Sequence, residues 1–175
     1  MPHAPGLRPT PDRVRETLFN WLQGVTEGAR ALDLFAGSGA LGFEAASRGA
    51  RSVVMVEADA RIATHLREQA ATLDASRLRV EARSVRAFLA GAPQPVDLVF
   101  LDPPYSQGLV AETLALLARG WLAPGAHLYI EAEAELGEPV LPDGWTLLKT
   151  RRAGQVGYHL ARAPDASGVS PDSGD

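Results

Sequence analysis

Short apolar runs alternate along this chain with stretches of helical periodicity, and no other feature constrains the fold as strongly. The runs predict strands and the intervening stretches predict helices. The predicted strands are 29–35, 51–59, 77–82, 96–102 and 126–132, and the predicted helices are 43–50, 60–74, 84–91 and 109–122. Such alternation, with several runs apolar throughout, is typical of a parallel sheet that helices cover on both faces. The pattern predicts a doubly wound α/β domain.

The two ends of the chain depart from this alternation. At the N-terminus, residues 6–24 form a helical segment in which Thr10 is the expected N-cap and Pro11 the first helical residue. At the C-terminus, 145–152 and 155–162 are joined by Ala153 and Gly154, which predicts an antiparallel hairpin added to the sheet. Residues 163–175 are rich in Pro, Ser, Gly and Asp, so we expect a disordered tail after a single domain over 1–162.

Composition narrows the classes of protein. The 175 residues include no cysteine, and no apolar run reaches the length of a membrane span, so we expect a cytoplasmic protein. The formal net charge of -4 argues against a protein that holds nucleic acid by overall charge. Almost all positive charge is arginine, which suits bidentate phosphate or base contacts. Without a long apolar surface stretch, we expect a monomer.

A glycine-rich loop follows the first predicted strand. Gly37, Gly39 and Gly42 match the G-x-G-x-x-G pattern between a strand and a helix. Glycines let the backbone approach a ligand closely, and the helix N-terminus presents unpaired N–H groups. Glu57 ends the next strand, about 20 residues further on, where an acid accepts the ribose hydroxyls of an adenosine-containing cofactor. The alternative is a tight turn with an incidental acid.

Asp33 decides between two kinds of cofactor. It lies in the strand that leads into the loop, where its negative charge would repel the pyrophosphate of a dinucleotide. The same charge would attract the ammonium and sulfonium of S-adenosylmethionine (SAM), which has no phosphate. The residue could instead hydrogen-bond the loop backbone, and the two roles can coexist.

The segment FLDPPY, residues 100–105, ends the fourth predicted strand. Strand carboxyl ends line the ligand crevice of an open α/β sheet, so Asp102 should face the glycine loop. An exocyclic base amine is a poor nucleophile, and the Asp102 carboxylate and the Pro103 carbonyl could accept its hydrogens and aim its lone pair at a methyl group. Tyr105 would stack on the base, and Pro104 would help to stiffen the segment. The alternative is a rigid turn after a buried strand.

With these residues in place, the sequence resembles the SAM-dependent amino-methyltransferases that carry a D-P-P-Y motif. It is most similar to the RsmD-type bacterial enzymes that methylate the exocyclic N2 of a guanine in 16S ribosomal RNA. The matching blocks are GLRPTPDRVRETLFNWL (6–22), LDLFAGSGALGFEAASRGA (32–50), VFLDPPY (99–105), YIE (129–131) and AGQVGYHL (153–160). The first block is the most specific. The resemblance implies the seven-stranded class I methyltransferase sheet, SAM as cofactor, and 16S rRNA in a small ribosomal subunit or its assembly intermediate as substrate.

The resemblance also assigns residues to the site. The implied catalytic residues are Asp102, Pro103, Pro104 and Tyr105. The implied cofactor-binding residues are Asp33, Phe35, Ala36, Gly37, Ser38, Gly39, Glu57, Ala58, Ser84, Val85 and Asp102. The arginines that could face RNA are Arg8, Arg13, Arg15 and Arg152.

Three features depart from the family pattern. Family members usually begin with a basic β-hairpin, which we expect to be absent because only MPHAP precedes Gly6. They usually have an acid after the third strand, where this chain has Ser84, a weaker acceptor for the adenine amino group. Pro11 replaces a common threonine and suits a helix start.

Three other functions fit parts of the sequence. D-P-P-Y also serves adenine-N6 methylation of DNA or RNA in related enzymes. A nicotinamide-dependent oxidoreductase would use the glycine loop but would leave Asp33 and FLDPPY unexplained. Ser84 and the missing hairpin would also fit a non-catalytic RNA-binding module. The four histidines lack metal-ligand spacing, so we predict no metal site.

Overall fold

The computed structural model of the protein describes residues 11–105 and 108–165. The helices are α1 Asp12–Trp21, α2 Ala40–Ser47, α3 Ala60–Asp74, α4 Val85–Leu89 and α5 Leu109–Leu117, with a short 3₁₀ turn at Ala134–Leu136. The strands are β1 Arg30–Leu34, β2 Ser52–Val56, β3 Leu78–Glu81, β4 Val96–Leu101, β5 Leu122–Glu133, β6 Thr146–Ala153 and β7 Val156–Arg162. Within these residues, no helix is both long and apolar enough to cross a membrane.

All seven strands form one sheet in the order β3-β2-β1-β4-β5-β7-β6. The first five in this order are parallel to one another, whereas β7 runs antiparallel to both β5 and β6. A helix connects each parallel strand to the next, and the connection through α4 passes from β3 at one edge to β4 on the other side of β1. It confirms the predicted doubly wound sheet with an antiparallel C-terminal hairpin.

The sheet separates two apolar cores. Helices α1, α2 and α3 cover one face, and α4 and α5 cover the other. Helix α1 buries Val14, Leu18 and Phe19, and the Phe19 ring lies 5.8 Å from that of Phe100 in β4. Each such side chain contributes about 1.5–3 kcal/mol when fully buried. The apolar stripe at the N-terminus therefore fixes α1 across the strand that precedes Asp102.

The predicted helix 109–122 is too long. Helix α5 ends at Leu117, and Gly120 has a φ of 94°, a conformation that breaks a helix. Trp121 is then buried, and its indole Nε1 donates to the Leu89 carbonyl at 3.2 Å. Strand β5 consequently begins at Leu122 instead of residue 126.

The N-terminal helix begins one residue later than predicted. Pro11 is the N-cap, with extended backbone (φ -58°, ψ 144°), and Asp12 is the first helical residue. No side chain caps this helix among the described residues, and Thr10 and Arg8 lie outside them. The Arg15 guanidinium instead contacts the Asp12 carboxylate at 3.0 Å.

Ordered structure continues past the predicted domain end. The Ala163 amide donates to the Ala126 carbonyl, and the Gly125 amide donates to the Pro164 carbonyl, each at 2.8 Å. Ala163 is also buried. The packed part of the chain therefore includes 163–165, which the composition assigned to the tail, and the remaining tail residues lie outside the described ones.

Candidate active site

Three neighbouring strands bring the predicted site residues to one edge of the sheet. Leu34, the last residue of β1, pairs with Val56 of β2 on one side and with Leu101 of β4 on the other. The residues that follow these strand ends therefore emerge side by side. They are Phe35 with the glycine loop, Glu57, and Asp102.

The loop after β1 has a strained entry. Phe35 has a φ of 59°, and it is the only non-glycine residue with positive φ in the described part of the chain. Gly37 and Gly39 follow with φ values of 56° and 80°. Left-handed backbone at a bulky residue costs free energy and is concentrated at ligand sites. The family resemblance implied Phe35 as a cofactor-binding residue, but nothing in the sequence indicated this conformation.

Close contacts favour glycine at Gly39 in the loop and at Gly42 in the first turn of α2. A Cβ on Gly39 would lie 2.5 Å from the Phe43 ring, and a Cβ on Gly42 would lie 3.0 Å from Asp33 Oδ2. The first contact holds the loop against the start of α2, and the second brings the helix backbone onto a buried carboxyl group. The G-x-G-x-x-G spacing thus serves packing within the protein as well as access for a ligand.

Glu57 ties the glycine loop to the end of β2. The side chain is 8% exposed, and its Oε1 accepts from the Gly37 amide while its Oε2 accepts from the Asp59 amide, both at 2.9 Å. A carboxylate has about four lone-pair positions, so each oxygen can accept a further hydrogen bond. The residue present therefore fits the two ribose hydroxyls of an adenosine group.

Asp33 is buried beneath the same loop. It is 2% exposed, and its Oδ2 accepts from the Gly42 amide at 3.0 Å. Burial raises the pKa of Asp33 to about 8; the Gly42 hydrogen bond opposes the rise, and the Glu57 charge adds to it. The hydrogen bond agrees with the loop-holding role for Asp33. Attraction of a cationic ligand remains a prediction, and such a ligand would favour the charged carboxylate.

The third strand supplies a capped helix to the same edge. Val56 pairs with Glu81, and after β3 the Ser84 hydroxyl accepts from the Ala87 amide at 3.0 Å as the N-cap of α4. Val85 is buried behind it, and Ala58 is exposed after Glu57. The hydroxyl of Ser84 thus has a structural role that its assignment as a cofactor contact did not include.

Buried polar side chains lie beside the D-P-P-Y segment. The Tyr129 hydroxyl donates to Glu131 Oε1 at 2.6 Å, and both residues are buried. Burial raises the pKa of Tyr129 well above its usual value, and the nearby negative charges of Glu131 and Asp102 raise it further. These two residues were missing from our predicted site, although the block YIE was part of the family resemblance.

Tyr105 and Arg152 line one polar cleft of about 370 Å³, together with Glu133, Ala134, Glu135 and Gln155. The Tyr105 hydroxyl lies 3.5 Å from the Ala132 carbonyl, and the Arg152 guanidinium donates to the Gly154 carbonyl at 2.8 Å. The structure thus brings the predicted stacking residue together with one predicted RNA contact.

The other predicted RNA contacts do not share this cleft. Arg13 is exposed on α1, Arg15 is paired with Asp12, and Arg8 lies outside the described residues. Arg151, which was left out of the predicted set, lies 5.9 Å above the Trp21 ring. A guanidinium over an indole face is a cation–π contact, a pattern that a sequence does not reveal.

Three features of this doubly wound sheet define a class I methyltransferase. They are the glycine loop after β1, the carboxylate of Glu57 after β2 and the D-P-P-Y segment after β4. Solved structures support this class. A putative methyltransferase from Escherichia coli superposes with a TM-score of 0.86 at 45% identity, covering 90% of this chain and 89% of that one. An RNA methyltransferase from Salinibacter ruber in complex with S-adenosyl-L-homocysteine shares the fold, with a TM-score of 0.68 at 19% identity over 94% and 98% of the two chains.

The chain belongs to the RsmD-type methyltransferase family. The family model described as conserved hypothetical protein 95 matches residues 1–162. Ribosomal RNA small subunit methyltransferase D of Escherichia coli K12 is 49% identical over 161 residues, which cover 91% of this chain and 81% of that protein. SAM is accordingly the cofactor, and Asp33, Glu57 and the loop glycines are the residues that fit it.

Proposed function

We propose that this protein transfers a methyl group from SAM to the exocyclic N2 amine of a guanine in 16S ribosomal RNA. The observation that carries the proposal is the pairing of Leu34 with Leu101, because it places the end of the cofactor loop strand beside Asp102. The names of the relatives support an RNA substrate in the small ribosomal subunit. We expect the protein to act on that subunit in the cytoplasm, as a monomer.

The chemistry depends mainly on positioning. When bound, SAM supplies an electrophilic methyl group. The Asp102 carboxylate and the Pro103 carbonyl accept the two amine hydrogens, which directs the nitrogen lone pair toward that methyl. The N–C bond forms as the C–S bond breaks, and the amine proton leaves to Asp102 or to water.

The base and the RNA backbone need separate contacts. Tyr105 can stack on the base, a contact worth about 1–3 kcal/mol. Arg152, which lines the same cleft, can contact a phosphate beside the extruded nucleotide. Arg8, Arg13 and Arg15 remain candidates for the backbone on the α1 side. With a net charge of -4, this protein needs such local contacts because its overall charge repels RNA.

Radiolabelled methyl transfer tests the proposal. The substrates are small ribosomal subunits that lack the endogenous modification, free 16S rRNA and double-stranded DNA, and the labelled base is then mapped. We expect label on the N2 of one guanine in the ribosomal substrates. Label on an adenine, or transfer to DNA in preference to both ribosomal substrates, would contradict the proposal.

A further inference from the structure

A second cavity, of about 250 Å³, is walled by Pro103 and Pro104 and shares Glu133 with the Tyr105 cleft. We call it the proline cavity. Besides prolines, its lining includes aliphatic side chains from α5, from the end of β5 and from the segment after it: Leu109, Val110, Ala111, Ala132, Leu136 and Val140. Leu136 is 63% exposed and Val140 87% exposed. A concave apolar site with few polar groups is typical of a small-ligand or nucleobase pocket.

One buried polar side chain lines this cavity. His159 of β7 is 2% exposed, and its Nδ1 lies 2.9 Å from the Thr150 hydroxyl. Its Nε2 has no hydrogen-bond partner in residues 11–105 and 108–165. A buried nitrogen without a partner is rare and calls for an explanation, such as a ligand that supplies the missing contact.

The tautomer of His159 decides whether its Nε2 is a donor. Burial lowers the pKa of His159, and the Glu138 carboxylate opposes this effect from nearby. The ring is therefore neutral at physiological pH and carries one proton. When the Thr150 hydroxyl donates to Nδ1, that proton lies on Nε2. Glu138 then supplies a carboxylate acceptor to the lining of the proline cavity, and His159 supplies an N–H donor at its wall, where the Nε2 atom itself is buried.

We propose that the proline cavity receives the N1–O6 edge of the target guanine, with His159 donating to O6 and Glu138 accepting from N1–H. This inference rests on the proposed function, in which Asp102 and Pro103 hold the N2 amine. In guanine, N1–H and O6 follow N2 along one edge of the base. The N3 atom lies on the other side of the amine, and the proposed orientation turns the N1–O6 side towards the cavity that Pro103 walls.

The same arrangement disfavours adenine. Adenine held by its N6 amine presents the N1 lone pair next and then the C2–H group. Glu138 would face a lone pair, and His159 Nε2 would remain without a partner. An unpaired buried donor and two opposed acceptors discriminate strongly between otherwise similar ligands. The proline cavity thus gives the shared D-P-P-Y motif a means of choosing guanine.

The test combines His159→Phe with RNA carrying 2-aminopurine at the target position. 2-Aminopurine keeps the reacting N2 amine but lacks O6 and N1–H. We expect kcat/KM of the wild type to fall about 10- to 100-fold with this base. We expect His159→Phe to lose a similar factor with guanine and to lose little more with 2-aminopurine. The matched control is His127→Phe, since His127 lies in the first half of β5 and does not line the cavity.

A second variant keeps the test valid if His159→Phe folds poorly. Ala111 is exposed and lines the proline cavity, whereas Ala115, one helical turn later, is exposed and does not. We expect Ala111→Trp to block RNA methylation while calorimetry shows unchanged SAM affinity. Ala115→Trp should match the wild type in both measurements.

The outcomes separate this inference from the proposed function. If the wild type labels no guanine in ribosomal RNA, the proposed function fails. If the wild type labels guanine while His159→Phe and Ala111→Trp keep its full activity, only the proline cavity assignment is overturned. Equal, additive losses from 2-aminopurine and His159→Phe would also overturn it, because the two changes would then act on different contacts.

Discussion

The half of the site that fits SAM and the half that we assign to the RNA substrate are built differently. In the cofactor half, Glu57 already accepts from the Gly37 and Asp59 amides and Asp33 from the Gly42 amide, at 2.9–3.0 Å. In the substrate half, two cavities of about 250 and 370 Å³ adjoin the D-P-P-Y segment, and the buried His159 Nε2 lacks a partner in the described structure. A loop that is set before binding loses less entropy when the ligand arrives.

The sheet explains this difference. The cofactor half stands on β1, which has parallel neighbours on both sides and therefore little freedom. The substrate half also uses β6, an exposed edge strand, and a 3₁₀ turn after β5. Edge elements are easier to deform than central strands. We infer that the cofactor half is complete in the protein alone and that RNA completes the substrate half.

The largest expected effect separates chemistry from cofactor binding. Asp102→Ala removes one of the two acceptors for the amine, so we expect kcat for methyl transfer to fall about 100- to 1000-fold. SAM affinity should fall less than kcat even though the resemblance also implies a cofactor contact for Asp102, because Glu57 and the loop remain. Single-turnover methyl transfer and calorimetry measure the two quantities. Asp165→Ala, at an exposed carboxylate paired with Arg162, is the control. An unchanged rate in Asp102→Ala would rule out its catalytic role.

Glu57→Gln should act on the other half. The substitution removes the negative charge that receives the Gly37 and Asp59 amides, and charge-assisted hydrogen bonds are worth about 1.5–3 kcal/mol. We expect the Kd for SAM to rise about 10- to 100-fold, with kcat at saturating SAM nearly unchanged. The control is Glu81→Gln at the end of the next strand, where the carboxylate pairs with Arg79 and Arg83. A large fall in kcat with unchanged Kd would contradict the division into halves.

Much of the cofactor half could be predicted from the sequence because it depends on local patterns. A strand, three spaced glycines and an acid after the next strand determine where Gly37 and Glu57 meet. The positive φ of Phe35 and the raised pKa of Asp33 could not be predicted, since they arise from packing around the loop. The predicted end of α5 was also wrong because of packing: the burial of Trp121 overrides the helical periodicity of the sequence there.

The substrate half was less predictable because its residues are distant in sequence. D-P-P-Y marked Asp102 and Tyr105, but His159 and Arg152 join them only through the pairing of β7 with β5 and β6. The block AGQVGYHL contains His159 without indicating that its Nε2 is buried. Cavities depend on three-dimensional packing, which periodicity does not report.

A titration can test whether the cofactor half responds to the charge of its ligand. With the pKa of Asp33 at about 8, the carboxyl group holds a proton at neutral pH in the protein alone. A bound cation favours the carboxylate, so binding releases that proton below pH 8. We expect SAM affinity, relative to Asp33→Asn, to rise by up to about tenfold per pH unit toward pH 8 and then to level off. If SAM affinity depends on pH in the same way in the wild type and in Asp33→Asn, the protonation of Asp33 does not respond to the charge of the ligand.

The raised pKa of Asp33 also predicts how the stability of the ligand-free protein changes with pH. The pKa of Asp33 is higher in the folded state than the ordinary value of 3.8 for an aspartate, so the folded state binds more protons between pH 4 and 8. The contribution of Asp33 to the free energy of unfolding therefore falls as pH rises through that window. Urea unfolding should show that the free energy of unfolding falls less with rising pH in Asp33→Asn than in the wild type. A wild-type contribution that rises with pH would contradict the buried, protonated state.

The smallest expected effect concerns Ser84, which caps α4 at the position where the family resemblance led us to expect an acid. Ser84→Ala should lower the free energy of unfolding by about 0.5–2 kcal/mol, because the Ala87 amide loses its acceptor. Ser84→Asp should keep the cap and, if the family pattern applies here, tighten SAM binding through a stronger acceptor for the adenine amino group. Urea unfolding and calorimetry measure the two effects, with Ser47→Ala at an exposed serine as the control. If Ser84→Asp matches the wild type in SAM affinity while Ser84→Ala is destabilised, the residue serves the helix alone, and the cofactor half ends at Glu57.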